Sequence, residues 1–240
     1  MIITTKGIVL RAIKYSETSL ICDIYTQKMG LQSYIVSGVR KKRAKISVSL
    51  LQVMSLIEIV AYHKNNRELN RITEVKSAYV YQEIPFDIIK GTVGLFMAEL
   101  VQKTIKEHEE NTPLFEFLWD TFTQLDKTQN SVSNYHIGFM AQLTQFLGFM
   151  IDNNYSENMP YFDVQEGRFR SVRTINHDGL NIELSQALFA FCQLPLTENH
   201  QVPINREDRR LLIRRLMRFY QYRIENFQEL NSFTVLQDIF

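Results

Sequence analysis

A dense basic run at residues 40–45 is the part of the sequence whose residue types indicate a chemistry most directly. It reads RKKRAK, so five of its six residues are cationic, and it begins two positions after Gly38. Like charges at this density repel one another unless a polyanion neutralises them. The run therefore predicts contact with nucleic-acid phosphates, and a solvated surface loop is the alternative.

Other cations of the first 80 residues are expected to extend this contact, and exposed tyrosines to stack on bases. Aromatic rings on barrels that bind oligonucleotides stack on any base, because every base has a π-face. The predicted phosphate-binding residues are Arg40, Lys41, Lys42, Arg43, Lys45, Lys6, Arg11, Lys14, Lys64, Arg67 and Arg71. The candidate stacking residues are Tyr15, Tyr34 and Tyr62, although tyrosine is also common in strands.

A second set of cations lies near the end of the sequence, in a stretch predicted to be helical. Arg210, Arg214 and Arg218 recur every four residues, so they share one helix face. Arginine forks bind carboxylates in a bidentate manner, which predicts a receptor for an acidic and apolar segment. A surface helix with internal ion pairs is the alternative. The residues predicted to form the receptor are Arg209, Arg210, Arg214, Leu212, Leu216 and Met217.

No motif for a phosphate cradle or a local metal site accompanies these cations. The nine glycines form neither a G-x-x-x-x-G-K nor a G-x-G-x-x-G pattern. None of the five histidines lies within five residues of another histidine or of a cysteine. A nucleic-acid-processing enzyme stays open as an alternative, with Glu107, Glu109 and Glu110 as the candidate carboxylates.

The elements that must position the basic run are strands. Runs rich in β-formers at 7–14, 20–26, 31–37, 56–62 and 69–75 predict five strands, and a short helix is predicted at 46–51. Three strands, a short helix and two strands are the order of an OB-fold barrel. Beyond residue 80, apolar spacing of three and four residues predicts helices beginning near Phe86, Asn111, Tyr135, Ser185 and Asn205, with an irregular stretch at 151–180.

Charge and aromatic content both change near residue 80. Residues 1–80 carry a net charge of +8 and contain no Phe or Trp, while the rest of the chain is slightly acidic and holds all 16 Phe. We therefore predict an α+β protein with an OB domain at 1–80 and an all-helical domain at 81–240. The two cysteines, Cys22 and Cys192, suit free thiols in a reducing compartment. No signal peptide or membrane span is predicted, so a cytoplasmic, nucleoid-associated protein is expected.

Four short motifs of the first third, together with one in the irregular stretch, resemble the bacterial RecO family. They are GIVL at 7–10, YSETS at 15–19, TQKMG at 26–30, SGVRKK at 37–42 and YFDVQEGRF at 161–169. The resemblance covers the whole chain and depends on the order and spacing of the motifs. It implies an N-terminal OB domain, a helical C-terminal domain and a recombination mediator without enzymatic activity.

The resemblance also implies partners. It implies a protein that binds single- and double-stranded DNA, anneals complementary strands, and with RecR helps to replace the single-strand-binding protein SSB by RecA. The acidic tail of SSB is the implied ligand of the arginine-rich helix. Many family members hold a structural zinc with four cysteines in the region that matches 151–180, where this sequence has none. We therefore expect no metal cofactor, and packing by Tyr155, Tyr161, Phe162 and Phe169 in its place.

Overall fold

The N-terminal part of the chain folds into a five-stranded barrel. The structure, a computed structural model, describes residues 1–39, 41, 44–63, 69–173 and 178–240. The strands are β1 (Ile2–Lys14), β2 (Leu20–Thr26), β3 (Gly30–Val36), β4 (Leu56–Tyr62) and β5 (Asn70–Ser77). They close in the order β1-β2-β3-β5-β4, with β3 and β5 parallel and the other pairs antiparallel. This topology confirms the predicted OB-like barrel.

The alternation of buried and less buried side chains along the strands shows where the barrel core lies. In β3 every second residue is buried, and Tyr34 and Val36 are fully enclosed with Val9, Ile24 and Ile59 of neighbouring strands. A glycine begins β3 because Gly30 has a φ of +59°, and a Cβ there would clash with the carbonyl oxygen of Glu109. The short helix predicted at 46–51 is one 3₁₀ turn, Val48–Leu51, and the amide group of Ser49 donates to the Ser47 hydroxyl at its start.

Six α-helices hold about half of the described residues beyond the barrel. They are α1 (Ile88–Thr104), α2 (Thr112–Lys127), α3 (Tyr135–Leu143), α4 (Ile182–Gln193), α5 (Arg206–Arg223) and α6 (Asn231–Ile239). The chain packs as two compact units, one of Met1–Asp87 and Ala98–Asp126, the other of Ile88–Met97 and Lys127–Phe240. The boundary predicted after residue 80 stays a prediction. No described helix is long and apolar enough to span a membrane.

The helix starts show which local signals were informative. The predicted caps Asn111 and Asn205 accept hydrogen bonds from the amide groups of Leu114 and Asp208. The start predicted near Phe86 was wrong, because Pro85 and Phe86 lie in a turn before α1 and the Phe86 ring is 86% exposed. Helix α3 ends at Leu143, well before the irregular stretch that was predicted from residue 151, and a 3₁₀ turn follows it before Gly148, whose φ is +77°.

The stretch predicted to be irregular contains a small hairpin held by aromatic rings. Strands β6 (Tyr161–Asp163) and β7 (Arg168–Arg170) pair with Phe162 opposite Phe169. The Tyr155 ring lies 5.3 Å from that of Phe169 and 4.9 Å from that of Phe189. Aromatic packing therefore occupies the region as expected, although it is Phe189 rather than Tyr161 that completes the cluster. The absence of zinc stays a prediction.

Candidate nucleic-acid interface

The strand register links cations and tyrosines from four segments through neighbouring strands of the barrel. Lys14 ends β1 opposite Leu20, and Leu20 in turn lies opposite Val36 at the end of β3. Arg71 of β5 lies beside Ile35 of β3 and opposite Tyr62 at the end of β4. Across the strands, the end of β3 thus lies between the turn that joins β1 to β2 and the start of β5, and Tyr62 beyond β5 also lies opposite Ile2 at the start of β1. We refer to this row of strand ends as a rim.

The turn after β3 adds a further cation to this rim. Gly38 has a φ of +75° and its carbonyl oxygen accepts a hydrogen bond from the amide group of Lys41, which places Lys41 directly after the strand. We call the set Lys14, Tyr15, Lys41, Tyr62 and Arg71 the basic rim. Five predicted phosphate-binding residues, Arg40, Lys42, Arg43, Lys64 and Arg67, lie outside the described residues.

The side chains of the basic rim are available to a ligand. All five are exposed, and Tyr15 and Tyr62 expose 61% and 50% of their surface. Within the described ranges, neither the three rim cations nor exposed Lys45 form an ion pair. A phosphate could therefore bind them without displacing an internal carboxylate, although Glu17 adds one exposed negative charge to the neighbouring turn.

Tyr34 was wrongly predicted to stack on bases. Its side chain is fully buried in the barrel core, between β2 and β5 in the sheet. Burial raises the pKa of its hydroxyl well above the ordinary value. Tyr34 is one of the β3 residues that face inward. The alternation of β3 indicated this orientation, but tyrosine usually prefers half-exposed positions, and that preference led to the wrong prediction.

Two predicted cations lie apart from the basic rim. Arg11 forms a 2.6 Å ion pair with Asp23, whose other oxygen accepts a hydrogen bond from the Ser33 hydroxyl. Lys6 lies where β1 meets the turn that follows β2, and its ammonium is 5.2 Å from the centroid of the Trp119 ring. The structure thus does not bring Lys6 and Arg11 together with the rim, and Arg11 already has an anionic partner.

A buried carboxylate that sequence reasoning missed anchors the segment that follows the barrel. Asp126 of α2 accepts hydrogen bonds from the amide groups of Gln82, Glu83 and Ile84 and from the Tyr79 hydroxyl. Burial by itself would raise the pKa of Asp126, but these donors outweigh it and hold the pKa below its ordinary value. The sequence signal that could have indicated this buried carboxylate is an aspartate that stands among apolar residues of a helix.

The candidate carboxylates of the enzyme alternative lie beside the start of β3. The carbonyl oxygen of Glu107 accepts a hydrogen bond from the amide group of Leu31, and His108 contacts the carbonyl of Leu31. In the part of the chain that the structure describes, no three His, Cys, Asp or Glu side chains are grouped as metal ligands. The acidic run therefore has a packing role against the barrel, which its residue types did not indicate.

The arginines of α5 are mostly engaged with other parts of their own unit. Arg209 donates to the side-chain oxygen of Asn134 at 2.9 Å, and Arg210 donates to the carbonyl of Gln237. Arg215 and Arg218 both pair with Asp178. Among the described residues, Arg214 is the arginine of α5 for which no such partner is found, and it is exposed.

The apolar part of the predicted receptor needs correction. Leu212 and Leu216 are fully buried in the core, so they cannot line an open pocket. Met217 is 8% exposed and borders a cleft of about 300 Å³ together with Arg214, Arg218 and Phe233. Helix periodicity places Leu212 and Leu216 on the inner face of α5. Only the tertiary packing shows that α6 supplies the apolar wall of the cleft beside Met217.

Fold and site together define a protein with an OB-type barrel, a cationic rim and a helical C-terminal region. Two family models match the chain: that of the recombination protein O N-terminal region at residues 1–81 and that of its C-terminal region at residues 85–232. Proteins named DNA repair protein RecO are similar over the full length of both chains. The one from Flavobacterium johnsoniae is 34% identical and the one from Bacteroides fragilis is 32% identical.

The chain therefore belongs to the RecO family. Membership supports a role in DNA repair and recombination, in agreement with the resemblance found in its motifs.

Proposed function

We propose that this protein is a recombination mediator that binds single- and double-stranded DNA and anneals complementary strands. The observation that carries the proposal is the basic rim, where exposed cations without ion-pair partners in the described ranges lie beside two exposed tyrosines. Cations there neutralise phosphates, and the rings of Tyr15 and Tyr62 offer faces for unpaired bases. Membership of the RecO family supports the same role.

Annealing on such a surface requires no bond to be made or broken in the DNA. Two strands held near the same cations repel each other less, so complementary bases meet more often and pair. The protein then acts as a mediator rather than as an enzyme, and divalent metal ions are not needed for the step itself.

An annealing assay in EDTA tests the proposal. Fluorescently labelled complementary strands should pair faster with the protein than without it, both when bare and when coated with SSB. A requirement for Mg²⁺ together with cleavage of the DNA would contradict the proposal and favour a processing enzyme.

The proposal extends to the partners expected for the family: with RecR, the protein helps to load RecA onto SSB-coated DNA. The acidic tail of SSB would bind the helical region along α5, with Arg210 and Arg214 as carboxylate partners. Met217 supplies apolar surface there, in place of Leu212 and Leu216, which are buried in the core. Support comes from the cleft itself, which combines arginine with apolar surface.

Charge reversal separates the tail site from the DNA site. Arg210→Glu with Arg214→Glu should abolish binding of an SSB tail peptide in fluorescence anisotropy while affinity for naked DNA changes less than twofold. Arg168→Glu with Arg173→Glu, two exposed arginines of the same unit, is the charge-matched control. Normal peptide binding by the first variant would place the tail site elsewhere.

A further inference from the structure

The arginine face of α5 is already occupied by the last residues of the sequence. Arg206 donates to the carbonyl of Asp238 and Arg210 to the carbonyl of Gln237. These carbonyls belong to the last turn of α6, where no further turn supplies them with amide donors. Cationic donors at a helix C-terminus also interact favourably with the helix dipole. Residues 231–240 thus bind the arginines as a ligand would.

The Phe240 ring fills a prepared aromatic pocket. It stacks on His136 at a centroid distance of 5.2 Å and an interplanar angle of 24°, and the Arg209 guanidinium lies 5.9 Å from its centroid. On the other side, the Phe96 ring contacts His136 edge-on. The pocket is built from rigid parts, because Asn134 accepts from Arg209 and donates to the carbonyls of Asn199 and Val202.

The floor of this pocket contains buried polar groups without partners. His136 is fully buried, and neither of its ring nitrogens has a hydrogen-bond partner among the described residues. Buried polar groups without partners are rare in native proteins, because leaving them unsatisfied costs free energy.

The segment that covers the pocket is weakly held for a permanent part of the core. Helix α6 has nine residues, Leu236 is its one buried residue, and its N-cap residue, Leu230, makes no side-chain capping hydrogen bond. A helix this short is marginal unless packing supports it.

We propose that residues 231–240 are a displaceable occupant of a peptide-binding pocket formed by Arg206, Arg209, Arg210 and His136. A partner segment of the same chemistry, in which an acidic and an apolar residue precede an aromatic residue as Asp238 and Ile239 precede Phe240, binds there by displacing it. The proposal deepens, and in part rests on, the proposed docking of the SSB tail along α5. It adds that the site is self-occupied in the free protein.

The test uses the segment itself as the probe. A fluorescently labelled synthetic peptide of residues 231–240 should bind the full-length Phe240→Ala variant at least tenfold more tightly than the unchanged protein, because the internal competitor has lost its ring. Val235→Ala is the matched control in α6, since Val235 is 53% exposed, and should bind as the unchanged protein does. Adding Arg209→Ala to Phe240→Ala should remove the gain.

Equal affinity of the peptide for the unchanged protein and for Phe240→Ala, or no binding to either, overturns the proposal. So does a dimer of the unchanged protein that Phe240→Ala dissociates in analytical ultracentrifugation, because the segment would then occupy a second copy. A second arm with an SSB tail peptide separates the proposals: binding of the segment peptide without binding of the SSB peptide leaves the self-occupied pocket standing and refutes SSB as its ligand.

A second measurement covers the case that Phe240→Ala does not fold. In the unchanged protein, amide hydrogens of α6 should exchange with solvent at least tenfold faster than those of α5, because α6 opens while α5 stays packed. Protection of α6 equal to that of α5 would show that the segment does not leave the pocket and would overturn the proposal.

Discussion

The basic rim and the arginine-rich helix α5 are both strongly cationic in sequence, yet they differ in what already binds their charges. In the described ranges, the rim cations Lys14, Lys41 and Arg71 have no ion-pair partners. Most arginines of α5 instead bind carboxylates, amide oxygens or carbonyls of their own unit. Charge density in the sequence identifies a cationic segment. Whether a polyanion can bind it depends on whether its cations already have ion-pair or hydrogen-bond partners within the protein.

The difference has an energetic basis. A phosphate that binds the rim exchanges water and counterions, and the released counterions favour binding. A phosphate that bound α5 would have to break hydrogen bonds of charged groups, worth about 1.5–3 kcal/mol each. We therefore expect DNA on the rim, while α5 interacts with peptides that reproduce the contacts of residues 231–240.

Charge reversal on the two surfaces gives the largest expected contrast. Lys14→Glu, Lys41→Glu and Arg71→Glu together should lower the affinity for single-stranded DNA about a thousandfold at low salt, because three phosphate contacts become repulsions. The matched change on α5, Arg206→Glu with Arg214→Glu and Arg218→Glu, should alter it less than threefold. Fluorescence anisotropy measures both. Similar losses in the two variants would remove the distinction between the surfaces.

The two units also differ in the buried polar group that stabilises each. In the barrel unit, Asp126→Ala leaves three amide groups and the Tyr79 hydroxyl without their acceptor. We expect the free energy of unfolding to fall by about 3 kcal/mol, measured with urea. Asp120→Ala, an exposed aspartate of the same helix, should change it by less than about 0.5 kcal/mol. A small effect of Asp126→Ala would mean that water replaces the carboxylate.

The sequence predicted the barrel more completely than the helical unit. Two strands, Leu20–Thr26 and Leu56–Tyr62, were predicted to the residue because β-formers fill them and turns flank them. Asn111 and Asn205 identified two helix starts through capping. Helix α6 was not predicted, since its support comes from α5 and from the pocket around His136 rather than from its own pattern.

The candidate site likewise divides into residues that the sequence predicted and residues whose position only the fold determines. The rim was found in part because cations and tyrosines are visible in sequence, and Lys14, Lys41 and Arg71 were all among the predicted residues. Tyr34 and Leu212 were misjudged, because inward orientation and burial in the core are properties of the fold. The ion pair of Arg11 with Asp23 is likewise invisible in sequence, and its contact with DNA stays a prediction. Sequence indicates which residues could contact DNA, and register decides which of them lie together.

The helical unit should be the more sensitive of the two to mild acid. Burial, reinforced by the nearby Arg209 charge, lowers the pKa of His136 to about 3, from an ordinary value of 6.5. The folded state then binds fewer protons than the unfolded state below pH 6.5, so stability falls as the pH drops towards 3. Between pH 6.5 and pH 5 this amounts to about 2 kcal/mol.

Urea unfolding at the two pH values measures this effect. His136→Phe should remove most of the loss, because phenylalanine has no proton to gain. The lowered pKa of Asp126 acts in a lower window, since its contribution is present above an ordinary pKa of 3.8 and is lost only below it. An acid sensitivity unchanged by His136→Phe would assign the loss to another group.

The smallest expected effect tests stacking on the rim. Tyr62→Ala should weaken binding of single-stranded DNA about fivefold, because a stacked base is worth at least about 1 kcal/mol. Tyr62→Phe keeps the ring and should bind normally. Loss of affinity in both variants would indicate a contact through the hydroxyl group instead of the ring face.

The salt dependence of DNA binding tests the central claim most directly, because its slope reflects the phosphates that the protein neutralises. The affinity of the unchanged protein for a short DNA duplex should be compared with that of the variant Lys14→Ala, Lys41→Ala and Arg71→Ala between low and physiological salt. The account predicts a plot of log affinity against log salt that is shallower by about two to three units in the variant, since each lost contact removes about 0.9. An unchanged slope in this variant, or an equal decrease after Arg206→Ala, Arg214→Ala and Arg218→Ala, would contradict it.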